Sequence, residues 1–153
     1  MIVGTHLCDL PVVNQNLPAK NLVAEITESV LITDVSYIIR MLNMLRQIGV
    51  RVSLDDFGTG YSSLSYLKTI PLDNLKIDQS FLRDVLNDPT SEAILTSIIS
   101  LAKNLNLSIT AEGVETKGHL QLLKSHGCDY LQGYYFSKPI PADELEEFIR
   151  KSL

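Results

Sequence analysis

Five short apolar runs alternate with amphipathic stretches along this chain, and each run has a charged or amide side chain at or beside its end. The runs are Leu22–Glu28, the stretch from Val52, Leu72–Ile77, Leu107–Thr110 and Tyr130–Tyr134. Parallel strands need a crossover of a dozen or more residues, which a helix supplies, so this alternation predicts a parallel α/β sheet. The helices are legible from their spacing. Val35, Ile38, Ile39, Leu42 and Leu45 mark one buried face, with Met41 and Met44 as packing residues, Thr33 or Asp34 as the cap and Gly49 as the stop. Asp88-Pro89 opens a second, with Ile94, Leu95, Ile98, Ile99, Ala102 and Leu105 facing the core. A third carries Leu120, Leu122 and Leu123 and stops at Gly127. The last starts after Pro141, with Leu145, Phe148 and Ile149 expected to be buried. Leu64 to Leu67 read as a further short helix.

In a parallel sheet or barrel the C-terminal strand ends converge on one face, where active sites are built. Here those ends carry Glu25 and Glu28, then Asp55 and Asp56, then Lys76 and Asp78, then Glu112 and Glu115, and finally Gln132. A single carboxylate at such a position is often a helix cap, and a Lys beside carboxylates is often a salt bridge. A polar group at all five exits is hard to reconcile with structure alone. Asp55-Asp56 is the most telling pair, because carboxylates leaving a buried strand need something to offset their charge. Gly58 and Gly60 follow and allow a sharp loop.

The set is rich in oxygen and lacks His and Cys, so the implied metal is Mg²⁺ or Mn²⁺ rather than zinc. Clustered acids, divalent ions and one Lys suit hydrolysis of a phosphate ester. A net charge of −5 with no basic run argues against a nucleic-acid polymer or a membrane surface as partner. The two cysteines, Cys8 and Cys128, have no metal-type spacing and read as free thiols in a reducing compartment. His6, Cys8 and Asp9 lack a second cluster and read as ordinary surface residues. No apolar run is long enough to span a membrane and the N-terminus has no signal-peptide pattern, so the expected location is cytoplasmic.

Five motifs then resemble the EAL domain, the cyclic di-GMP phosphodiesterase family. They are EITES (Glu25–Ser29), DDFGTGYSSL (Asp55–Leu64), KIDQSF (Lys76–Phe81), AEGVET (Ala111–Thr116) and QGYYFSKP (Gln132–Pro139). The resemblance implies a variant TIM barrel that cuts one phosphodiester bond of cyclic di-GMP to give linear pGpG. It makes Glu25 a ligand of a first metal, Asp55 a bridge between two, and Asp56 and Glu112 ligands of the second. Lys76 holds or deprotonates the attacking water, and Glu28 anchors the glycine loop, which in the family links metal binding to dimerisation. Asp78, Glu115 and Gln132 complete the floor around metal and substrate.

The family's Glu-Ala-Leu sequence has no match in this chain, nor has the Asn-bearing strand that precedes EITES; Asn14 and Asn16 lack a matching strand context. The Arg expected near the first Glu is missing too. The expectation is therefore a truncated EAL domain over residues 17–153, with 1–16 unassigned, holding about five of eight strand–helix units. Such an arc leaves strand edges open, and self-association is the expected repair. Activity is expected to be lost or very weak. The competing expectations are a remnant that binds a ligand or protein without catalysis, and a structural oligomeric fragment.

Overall fold

A computed structural model describes residues 18–32, 34–58 and 67–152. Strand β1 (Val23–Thr27) leads through a 3₁₀ turn (Glu28–Ile32) to helix α1 (Val35–Gln47) and strand β2 (Arg51–Phe57). Strand β3 (Asn74–Ile77) is followed by a second 3₁₀ turn, Gln79–Phe81, and helix α2 (Pro89–Asn104). Then come β4 (Ser108–Ala111), α3 (Lys117–His126), β5 (Tyr130–Leu131) and α4 (Ala142–Ser152). The five strands lie in the order β1-β2-β3-β4-β5, and every neighbouring pair is parallel. Sequence order equals spatial order, as in the arc of a barrel; an open doubly wound sheet would place β1 in the middle.

The two faces of the sheet differ because strand residues alternate. Val52, Leu54, Leu75, Ile77, Ile109 and Ala111 are fully buried on the helix-covered face. Ile38 and Leu42 of α1, Leu95, Ile99 and Ala102 of α2, and Leu123 of α3 close over them. Burying one such aliphatic side chain is worth about 1.5–3 kcal/mol, so this layer holds the arc together. The opposite, inner face carries Ser53, Asn74, Lys76, Ser108 and Thr110. There the Asn74 amide donates to Ser53 Oγ (2.8 Å), and its oxygen accepts from the hydroxyls of Ser108 (2.9 Å) and Thr110 (3.3 Å).

Local chemistry fixes the helix ends. Asp34 accepts from the Tyr37 N–H (3.0 Å), which makes it the cap of α1; the alternative, Thr33, lies outside the described residues. Asp88 accepts from Thr90 and Ser91, with Pro89 in the first turn of α2. Gly127 ends α3 in the left-handed region at φ 74°.

Several sequence expectations are corrected. Leu145, Phe148 and Ile149 of α4 are 45%, 37% and 47% exposed, because β5 is only two residues long and offers little sheet to cover. Ile94 and Met44 are likewise exposed, while Met41 packs on the core. The fifth run stops pairing after Leu131, since Gly133 turns the chain onto the backbone of Val114. Residues 1–17 and 59–66 lie outside the described residues, and with them the helix expected from Leu64, apart from Leu67 itself.

Candidate metal and phosphodiester site

At the C-terminal end of the sheet the polar inner face becomes acidic. Successive strand residues point to opposite faces, so Asp55 and Asp56 should diverge. They do not, because β2 bulges there. Leu54 pairs with Leu75 and Phe57 with Ile77, so Asp55 and Asp56 together oppose Lys76. Asp56 takes φ +55°, which Asp tolerates better than most residues, and its N–H donates to Asp55 Oδ1 (3.1 Å). The bulge brings both carboxylates beside Glu112, and ligand oxygens of Asp55, Asp56 and Glu112 all lie within 4.8 Å of one another. Three half-buried carboxylates are a donor set that fits a hard divalent cation.

Lys76 sits at the centre. Its Nζ lies 2.8 Å from Glu112 Oε1, 2.9 Å from Asp55 Oδ1 and 3.2 Å from Glu25 Oε1. Burial works against the charged ammonium. Hydrogen bonds to Glu112, Asp55 and Glu25 outweigh it and raise the Lys76 pKa well above its ordinary value. Lys76 is therefore a cation held by three strands' worth of carboxylates.

The remaining sequence-derived residues take distinct places. Glu28 is buried; its Oε2 accepts from the Gly58 N–H (3.2 Å), and its Oε1 has no partner among the described residues. Gln132 lines two recesses. One is a cleft of about 300 Å³ along the inner face, which includes Glu25, Asn74 and Lys76. The other, of about 220 Å³, holds Glu112, Glu115, Gln79 and Tyr134. Asp78 caps the second 3₁₀ turn, accepting from the Ser80 N–H (2.9 Å). Desolvation opposes ionisation of Asp78, but hydrogen bonds from Ser80 and Gln79 outweigh it and lower its pKa.

Asn74 and Ser53, one layer below Lys76 and Asp55, escaped the sequence reading. Counting two residues back along each strand from the functional side chain would have found both.

The EAL domain family profile matches residues 5–139 of the chain. This chain belongs to the EAL domain family. A cyclic di-GMP phosphodiesterase of Pseudomonas aeruginosa, NbdA, is 47% identical over 126 residues, covering 82% of this chain and 16% of that protein. The structure of the MucR phosphodiesterase in complex with c-di-GMP superposes with a TM-score of 0.82 at 42% identity. It covers 88% of this chain and 54% of that one. Klebsiella pneumoniae BlrP1, in a manganese and cyclic di-GMP complex, gives 0.77 at 34% identity, over 84% of this chain and 33% of that one. The chain thus spans roughly a sixth of the length of NbdA. The parallel arc is the EAL-type barrel fold. Among the described residues, no helix is long and apolar enough to cross a membrane.

Proposed function

We propose that this chain carries the Asp55–Asp56–Glu112 half of a cyclic di-GMP phosphodiesterase site, able to take up Mg²⁺ or Mn²⁺ but very slow in hydrolysis. The observation that carries this reading is the convergence of three carboxylates on one point beside a buried ammonium. Carboxylates gathered this closely repel unless a cation sits among them. Relatives seen with manganese and with c-di-GMP support the choice of ion and ligand.

In this reading Asp55, Asp56 and Glu112 hold the ion, and Glu25 faces the neighbouring position across Lys76. A divalent ion bound there would supply Lewis acidity to a phosphoryl oxygen and make a bound water more acidic than bulk water. Lys76 is well placed to donate a hydrogen bond to a water or a phosphoryl oxygen. Gln132 closes the inner cleft beside them, and Glu115 bounds the adjoining recess. Hydrolysis adds water across one P–O bond of the cyclic dinucleotide and yields the linear product.

The slowness proposed is that of these 153 residues taken alone. No Glu-Ala-Leu sequence occurs in the 153 residues, so the carboxylate it would contribute to the neighbouring metal position is absent from this chain. Removing one group that stabilises developing charge typically costs about 10²–10³ in rate. The edge strands β1 and β5 pair on one side only among the described residues, which favours closure by a second copy of the chain.

The test is a Mn²⁺ titration followed by urea unfolding, with a hydrolysis assay at high protein concentration and a solution mass. The expected result is stabilisation by Mn²⁺ that Asp55→Ala abolishes, turnover far below that of a complete domain, and a mass above the monomer's. Robust formation of pGpG would overturn the slow-enzyme half of the reading. Indifference to Mn²⁺ would overturn the metal half.

A further inference from the structure

The two arms of the carboxylate cluster belong to different loops. Asp55 and Asp56 end β2 and lead to Gly58; Glu112 follows β4 and leads to Gly113. Between these loops sits the 3₁₀ turn Gln79–Phe81, which touches both. A Cβ on Gly58 would lie 2.5 Å from Phe81 Cζ and 2.8 Å from Cε2, so the ring tip rests directly on that glycine. A Cβ on Gly113 would collide with Gln79 Cβ and come within 3.1 Å of its Cα. Both glycines have positive φ, +92° and +72°. Each arm is also tied by a backbone N–H: that of Gly58 donates to Glu28 Oε2 (3.2 Å), and that of Glu112 donates to Ile77 O (3.1 Å).

The turn itself is firmly seated. The Phe81 N–H donates to Asp78 O (3.1 Å), Asp78 caps it, and Leu82 behind it is 1% exposed in the core.

We propose that Phe81 is a positioning residue: its ring is a wedge of fixed length that sets the separation between the Asp55–Asp56 arm and the Glu112 arm. The inference rests on the metal-site reading above for its consequence, but its geometry stands without a metal. Phe81 touches loop backbone, not the reacting atoms. A phenyl ring suits this task because it is rigid and flat, and lies against a residue with no side chain. Leucine in its place leaves the ring's outer edge empty, and the β2 loop can settle towards the turn. Tyrosine adds an oxygen at Cζ, the atom already nearest Gly58, and drives the loop away. A wedge is sensitive to both changes, whereas a side chain that only fills the core tolerates one of them.

The lysine offers a readout free of metal. Lys76 Nζ bonds Asp55 on one arm and Glu112 on the other at once, at 2.9 and 2.8 Å. Its grip on both depends on their separation, so Phe81 and Lys76 should be energetically coupled.

The experiment compares Phe81→Leu, Phe81→Tyr and the core control Leu95→Ala in the intact chain. Mn²⁺ affinity is measured by titration, and urea unfolding in EDTA is run for a double-mutant cycle of Phe81→Leu with Lys76→Met. Groups that orient metal ligands typically cost about 10–100-fold in affinity when altered, so both Phe81 variants should bind Mn²⁺ about tenfold more weakly. Leu95→Ala should unfold more easily with its Mn²⁺ affinity within about twofold of the parent's, since its cost is a cavity in the α2 layer. In the cycle, Lys76→Met should alter the unfolding equilibrium constant about fivefold less in the Phe81→Leu background. Unchanged Mn²⁺ affinity in both Phe81 variants overturns the wedge. If the parent chain binds no Mn²⁺, the metal-site reading fails, and the cycle alone decides: non-additivity supports the wedge and additivity overturns it.

Discussion

Replacing Lys76 with methionine keeps most of the side-chain volume and removes one charge, which makes it a clean probe of the cluster. The Lys76 side chain is 11% exposed, and its partners Glu112 and Asp55 are 19% and 22% exposed at 2.8 and 2.9 Å. At an effective dielectric of ~20 each contact is worth roughly 6 kcal/mol of gross attraction, most of which offsets the desolvation of the two groups. Breaking a buried pair by removing one partner costs about 3–5 kcal/mol. The half-exposed Glu25, 3.2 Å away, adds less than about 1 kcal/mol. Both acids retain some water contact, so the lower end applies, and the expected loss is about 3 kcal/mol at pH 7 in EDTA.

The assay is urea unfolding at pH 8 of the parent and Lys76→Met chains, each also in a Glu112→Gln background, with and without Mn²⁺. The destabilisation should shrink in the Glu112→Gln background, where one carboxylate no longer needs the ammonium as counter-charge. Mn²⁺ at a hundred times its dissociation constant should return about 2.7 kcal/mol to the Lys76→Met chain, because the ion takes over the role of counter-charge. A destabilisation equal in both backgrounds would show that Lys76 matters by packing rather than by charge. No destabilisation at all would mean that the three carboxylates do not feel it.

Other expectations are briefer. Asp56→Ala should be less stable than Asp56→Asn by about 1 kcal/mol in EDTA, because both remove the charge but only Asn accepts φ +55° readily; equal stabilities would remove the bulge argument. Gly133→Ala should cost about 3 kcal/mol or prevent folding, since its Cβ would collide with the backbone N and O of Val114; a melting temperature like the parent's would contradict that close approach. The lowered pKa of Asp78 means that its contribution is present above the unfolded value of 3.8 and is lost as pH falls through the folded one. Asp78→Asn should therefore flatten the acid limb of the stability curve below about pH 4 and leave the slope between pH 6 and 8 unchanged. A shift confined to neutral pH would assign Asp78 another role.

Much of the arrangement was legible because it depends on rules of direction. Strand exits in a parallel sheet share one end, so Glu25, Asp55, Lys76, Glu112 and Gln132 could be grouped before any coordinates. The strand count and the caps at Asp34, Asp88 and Gly127 rest on equally local chemistry. What escaped depended on contacts between units. Nothing in Val52–Phe57 announces that two adjacent Asp residues occupy one pairing position, because the bulge exists only relative to Lys76 on the next strand. The helix α4 has a well-spaced apolar stripe, yet burial requires a surface to lie on, and a two-residue strand supplies little. The capping role of Asp78 likewise depends on a turn N–H two residues on.

The hydroxyl and amide layer formed by Ser53, Asn74, Ser108 and Thr110 bears on how such an arc meets water. Parallel sheets are ordinarily dry on both sides, and their strands read as unbroken aliphatic runs. Here one side is dry and the other can be wetted without stranding a buried donor, because Asn74 already gathers its neighbours into a satisfied set. Hydration of the concave face therefore sets no large penalty against an open arc. Any drive towards a closed assembly must come from the strand edges and from the aliphatic flank of α4, and its strength should vary with the temperature and salt that govern those surfaces.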